Sequence, residues 1–294
     1  MTTLFDLPLQ RMDVGDGMHI AARVAGEGPP LLLLHGHPQT HAIWHRVWPA
    51  LTQRFTCVAA DLRGYGDSDK PAATPDHSAH SKRVMAQDMV NLMRGLGHER
   101  FDVLAHDRGA RVAHRLGLDH AERVGRMMLL DIAPTLDMYQ GTTRAFAQAY
   151  YHWFWLIQPA PMPETMIGHD PVFYVRAVMG GRPGGLAIFD PRALAEYERC
   201  AALPGLPVGI CEDYRASATL DLEHDRADRA AGRKLTCPIH VLWGARGAVG
   251  RNFDVLALWN AVADDVDGAA LDAAHYLAEE VPEPVIARAL DFFA

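Results

Sequence analysis

The chain has 294 residues, 49% of them hydrophobic, and a formal net charge of −8 from 36 acidic against 28 basic side chains. That size and apolar content suffice for a large buried core, either one α/β domain or a core carrying an insert. The acidic balance, with no basic stripe, excludes the electrostatic footprint of a nucleic-acid binder, and no apolar run reaches membrane-spanning length.

In chain order, the first residues lack the basic start and apolar run of a signal peptide, which predicts a cytoplasmic protein. Pro30–Leu34 is a continuous apolar run closed by His35-Gly36, and Thr56–Ala60 is a second, closed by Asp61. Helical periodicity covers Arg83–Leu96. A third run, Phe101–Ala105, leads into a helical pattern over Gly109–Leu118, and a fourth, Met127–Leu130, is closed by Asp131. From about Thr135 to Gly232 the rhythm breaks into segments rich in Trp, Tyr, Phe, Met and Pro, with helical rather than strand periodicity. Ile239–Trp243, closed by Gly244, resumes it. Short runs apolar on both faces, alternating with helices, predict a doubly wound, mostly parallel sheet with an inserted helical lid. The division is a core over 1–137, a cap over 138–220 and the rest of the core over 221–294. Cys57, Cys200, Cys211 and Cys237 lie far apart without metal spacing and read as buried or free thiols in a reducing compartment. No metal or cofactor motif stands out.

The sharpest chemical signal is Ala105-His106-Asp107-Arg108-Gly109. It follows a buried strand and opens a helix, with small residues two positions either side of Asp107. This is the spacing of a nucleophile elbow, where Ser is usual. A carboxylate attacking an ester carbonyl would form a reactive anhydride. Attack on saturated carbon displaces a leaving group and forms an ester that water hydrolyses. Asp107 therefore points to alkyl transfer, against the plainer reading of a helix cap. Asp131, at the carboxyl end of a strand, and His275, before a closing helix, follow in the order nucleophile, acid, base. Asp272 and Asp254 are rival acids, but the turn after Ile239–Trp243 carries none, which favours Asp131. The loop His35–His41 is placed to donate a backbone N–H to an oxyanion, from His37 or its neighbours, with a second donor from the Arg108 N–H. Asp61–Asp69 reads as a tight structural turn with internal ion pairs.

Along nearly its whole length the chain resembles the haloacetate (fluoroacetate) dehalogenases of the α/β-hydrolase superfamily. Matching segments are His35–Gln39, Asp61–Pro71, His106–Gly109, Asp131–Thr135, Met166–Pro171 and Asp213–Thr219. The resemblance implies an α/β-hydrolase fold with a cap and hydrolysis of a short haloacid to a hydroxy acid and halide. It implies Asp107 as nucleophile, Asp131 as triad acid and His275 as base. It also implies Arg108 and Arg111 as the substrate-carboxylate clamp, and His152, Trp153 and Tyr214 as the halide pocket. No cofactor is implied; the expected partners are a small anionic haloacid and a second copy in a homodimer. Two departures stand out: His37 replaces the usual Phe, making the pocket wall more polar, and Ala274 replaces the Gly before the base.

Residue chemistry supports the transfer. Arg108 and Arg111 are three apart on one predicted helix, so both can face one spot and fork a carboxylate. Cations at a helix N-terminus oppose its dipole and need another reason to be there. His152, Trp153 and Tyr214 offer the N–H and O–H donors that a departing halide needs, although an aromatic lid core would also explain the first two. An epoxide hydrolase would share Asp107 and His275 but has no use for the arginine pair. A non-catalytic binding protein would show a damaged triad, and this one is complete.

Overall fold

The computed structural model describes residues 3–294 and contains one eight-stranded sheet in the order β1-β2-β4-β3-β5-β6-β7-β8. The strands are β1 (Gln10–Asp13), β2 (His19–Ala25), β3 (Pro30–Leu34), β4 (Thr56–Ala60), β5 (Phe101–His106), β6 (Val124–Leu130), β7 (Ile239–Gly244) and β8 (Val266–Leu271). The β1–β2 and β2–β4 pairs are antiparallel and every later pair is parallel. The central strands are apolar on both faces because both faces are covered. Leu32 and Leu34 of β3 join one hydrophobic cluster with Val103 and Leu129, while Leu31 and Leu33 join another with Leu104 and Leu130. Parallel pairing brings the carboxyl ends of β3, β5, β6 and β7 to one edge. His35, Asp107 and Asp131 all emerge there, at the topological position where open α/β sheets place their sites.

Between β6 and β7 the chain forms helices alone, from Thr135–Gln140 through Leu220–Ala230. This insertion packs its aromatic face over the carboxyl edge of the sheet. Phe146, Tyr150 and Trp153 are buried: Phe146 stacks on Tyr150, Trp153 meets both edge-on, and Phe253 of the core packs edge-on against Phe146. The Asp61 turn is structural, as its sequence indicates, but its ion pairs run outward. The Asp61 carboxylate accepts from the His41 N–H at 2.7 Å and the Asp67 N–H at 2.9 Å, and Arg63 pairs with Asp88 on the helix Lys82–Gly95 at 2.7 Å. All four cysteines are buried and unpaired. Among the described residues, no helix is long and apolar enough to cross a membrane.

Candidate active site

Asp107 sits between β5 and the helix Arg108–Asp119 with φ 45° and ψ −111°, a backbone conformation that a non-glycine residue holds only when its surroundings impose it. The surroundings are tight. A Cβ on Gly36 would lie 2.4 Å from the Asp107 Cβ, and one on Gly109 would lie 2.5 Å from the His35 carbonyl oxygen. The Gly109 N–H donates to that same carbonyl at 2.8 Å, which ties the helix start to the loop after β3. The His37 N–H donates to Asp107 Oδ1 at 3.0 Å. This is the oxyanion-type donor expected from the loop, and it leaves Oδ2 available. The Arg108 N–H makes no hydrogen bond to the Asp107 carboxylate. Burial opposes charge on Asp107, but the permanently charged guanidiniums of Arg111 and Arg108 are among the groups that hold the carboxyl below its usual range.

His275 Nδ1 lies 2.5 Å from Asp131 Oδ2, and Asp131 Oδ1 accepts the Gly244 N–H at 3.0 Å. Asp131 also holds a positive φ, 49°, so both acids at the strand ends occupy strained backbone positions. The rival acids stand elsewhere: Asp254 caps the helix Val255–Asn260, and Asp272 is exposed and paired with Arg246. Burial disfavours the imidazolium form of His275, and its Nε2 has no hydrogen-bond partner. The arrangement is a neutral imidazole oriented through Nδ1, with its other nitrogen open to take a proton.

The two arginines have different surroundings. Arg108 is fully engaged by Asp213 of the helix Leu206–Ala218: Nε donates to Oδ2 at 2.8 Å, and Nη2 to Oδ1 at 2.7 Å and to Ser217 Oγ at 2.6 Å. Lys82 also pairs with Asp213, and the Tyr65 hydroxyl donates to it at 2.7 Å. Arg111 is equally buried, yet among the described residues no carboxylate lies within ion-pair distance of it. Nη1 donates to Thr135 Oγ1 at 2.6 Å, Nη2 meets Met138 Sδ at 3.2 Å, and Nε has no partner. Burial and the neighbouring Arg108 lower its affinity for its proton, and Asp107 is the charge that offsets them.

Each guanidinium lies over a ring of the expected halide pocket, Arg108 over Tyr214 at 4.1 Å and Arg111 over Trp153 at 4.5 Å. His152 stacks on His37 with ring centroids 5.9 Å apart and meets Tyr214 edge-on at 5.9 Å. The expected clamp and pocket residues are thus interleaved around Asp107. Trp153 Nε1 and the Tyr150 hydroxyl are buried without partners. Uncommitted buried donors gathered beside Asp107 suit a polar ligand. His37 adds polarity to the wall: its Nε2 is 3.0 Å from the Tyr174 hydroxyl and its Nδ1 is unpartnered. Sequence reasoning assigned no role to Asp213 or Tyr150. Asp213 lies beside Tyr214 in a matching segment and Tyr150 in the aromatic run, and those neighbourhoods were the available signals.

The family model described as alpha/beta hydrolase fold matches residues 29–266. A fluoroacetate dehalogenase from Burkholderia sp is 44% identical over 273 residues, covering 92% of this chain and 89% of that protein. A soluble epoxide hydrolase from Corynebacterium sp. (strain C12) is 35% identical over 290 residues, covering 97% and 96%. The crystal structure of an alpha/beta hydrolase from Nostoc sp PCC 7120 superposes with a TM-score of 0.95 at 51% identity, covering 99% of both chains. The chain belongs to the alpha/beta hydrolase fold family and is a hydrolase similar to fluoroacetate dehalogenase.

Proposed function

We propose that the protein hydrolyses short 2-haloacids such as haloacetate to the hydroxy acid and halide through an ester on Asp107. Asp107 Oδ2 attacks the halogen-bearing carbon from behind. The new C–O bond forms as the C–X bond breaks, and the halide leaves with the bonding pair toward His152, Trp153 and Tyr214. His275 Nε2 then takes a proton from water while the resulting hydroxide adds to the ester carbonyl. The carbonyl oxygen, formerly Oδ1, is held by the His37 N–H as it becomes an oxyanion. Collapse breaks the Cγ–Oδ2 bond, and the departing alkoxide oxygen takes the proton from the His275 imidazolium that Asp131 has stabilised and leaves as glycolate. Asp107 returns to the carboxylate by losing the second proton of the water to solvent.

The observation that carries this reading is Arg111, a buried guanidinium beside Asp107 that, among the described residues, has no carboxylate in ion-pair distance. Esterification removes the Asp107 charge, and a substrate carboxylate is the group that would replace it. Arg108, already satisfied by Asp213, serves the clamp chiefly as a fixed wall and field. Relatives that are epoxide hydrolases supply the second reading, favoured by the unpartnered Tyr150 hydroxyl, which could protonate an opening epoxide. The two are separated by measuring halide from chloroacetate and diol from a small epoxide, with chloroacetamide as the neutral control. Halide release, slower on the amide by the equivalent of about 2–5 kcal/mol, is expected. Diol formation without halide, or equal rates on acid and amide, contradicts the proposal. Free buried thiols support a reducing, cytoplasmic location.

A further inference from the structure

Beside His275 a cavity of about 290 Å³ opens between the insertion and the core. Arg182, Arg246 and Arg251 line it, and no carboxylate does, on a chain whose net charge is −8. Arg246 is answered by Asp272 at 3.0 Å. Arg182 has no ion pair: among the described residues no carboxylate lies within 4.0 Å of it and its Nε is buried without a partner, so the Tyr276 hydroxyl and the more distant Asp107 and Asp131 charges are what offset it. Its guanidinium lies 5.0 Å from the Tyr150 ring centroid and 5.9 Å from that of Tyr276, both neighbours of His275. It follows the helix Pro171–Gly180, on a turn continued by Pro183 and by Gly184 and Gly185 at positive φ. A partly buried cation caged by two rings, with no ion pair to justify it, is costly unless an anion visits.

We propose that Arg182 is the selectivity residue of the entrance, drawing a small carboxylate through this cavity toward Asp107 before Arg111 receives it. The inference rests on the reading of the substrate as a carboxylate. Arg182 acts on entry: it raises the local concentration of anions at the mouth, an effect carried by kcat/KM, weakened by salt, and absent for a neutral substrate. Its charge also reaches His275, where it opposes formation of the imidazolium while no anion is bound.

The test is Arg182→Gln assayed on bromoacetate and bromoacetamide across ionic strength, with Arg182→Lys and the exposed Arg54→Gln as comparisons. Arg182→Gln should lower kcat/KM on bromoacetate by about tenfold and flatten its salt dependence, with kcat changed by no more than about twofold. The amide should be turned over as before, Arg182→Lys should recover most of the loss, and Arg54→Gln should match wild type. Equal losses on acid and amide would show a structural role and overturn the proposal, as would an Arg182→Gln enzyme with wild-type kcat/KM and salt dependence. If the wild type frees no bromide, the substrate reading falls separately, and acetate then probes the entrance. Weaker protection of Arg182→Gln than of Arg54→Gln by acetate against thermal unfolding supports an anion site there, and equal protection refutes it.

Discussion

Arg111 and Trp153 form the smallest unit that explains the site. A guanidinium withdrawn from water without a carboxylate is unstable unless other charges and dipoles replace the lost solvation. Among the described residues Arg111 meets the Thr135 hydroxyl, the Met138 sulfur and the Trp153 ring, with the nearby Asp107 charge, Tyr150 and Tyr139 adding to its stabilisation. Trp153 in turn is buried with its indole N–H unused. Packing alone would be served by Phe, and the unused N–H is what supports the proposed halide contact. Fluoride is a poor leaving group and depends on hydrogen bonds that strengthen as charge develops. Trp153→Phe should therefore slow fluoride release from fluoroacetate by roughly ten- to a thousandfold and bromide release from bromoacetate much less. Halide assays on both substrates check this. Equal losses would leave Trp153 as a platform for Arg111 and move the halide pocket elsewhere.

At the scale of elements, the insertion is fastened to the core by buried polar contacts as well as by aromatic packing. Glu279, in the helix Leu277–Glu280, accepts from Gln39 Nε2 at 3.0 Å and from the Tyr197 hydroxyl of the insertion. Burial pushes its carboxyl up to about 8. A carboxyl whose folded value is raised contributes full stability below its unfolded value, near 4.5, and loses it as pH rises through 8. Glu279→Gln keeps an acceptor and removes the titration. Its melting temperature should exceed that of wild type by a few degrees at pH 8 and by much less at pH 5. A constant difference between the two pH values would contradict this role.

Legibility also divides by element. The five central strands were readable because both their faces are buried and apolar residues dominate their runs. Strands β1, β2 and β8 were not. β8 is half exposed along Val266–Leu271, with Asp267, Gly268 and two alanines, and carries neither a continuous nor an alternating apolar pattern. Asp107, Asp131 and His275 were legible because strand ends in this topology place them. Helical spacing made Arg108 and Arg111 look equivalent. Asp213, 105 residues further along, separates them, and only the packing of the insertion brings it there. Arg182, between a helix end and a proline turn, gives no local signal.

For the molecule as a whole, a net charge of −8 means that the anionic substrate proposed above would approach against the overall field, so the proposed role of the entrance and floor arginines is to reverse it locally. The resemblance implies a homodimer, and the insertion offers an apolar face for one: Phe173 is 66% exposed and Met166 59%, beside a groove lined by Tyr151 and Trp155. Light scattering should find a dimer that Phe173→Glu shifts to monomer; a monomeric wild type would remove that face from consideration. The central claim, a covalent ester on Asp107, is tested most directly by intact mass spectrometry of His275→Asn after incubation with haloacetate. That variant retains the nucleophile and lacks the base. Burst release of one halide per chain with one added carboxymethyl group, located on the peptide containing Asp107, is predicted. Sustained halide release with an unmodified Asp107 would contradict it.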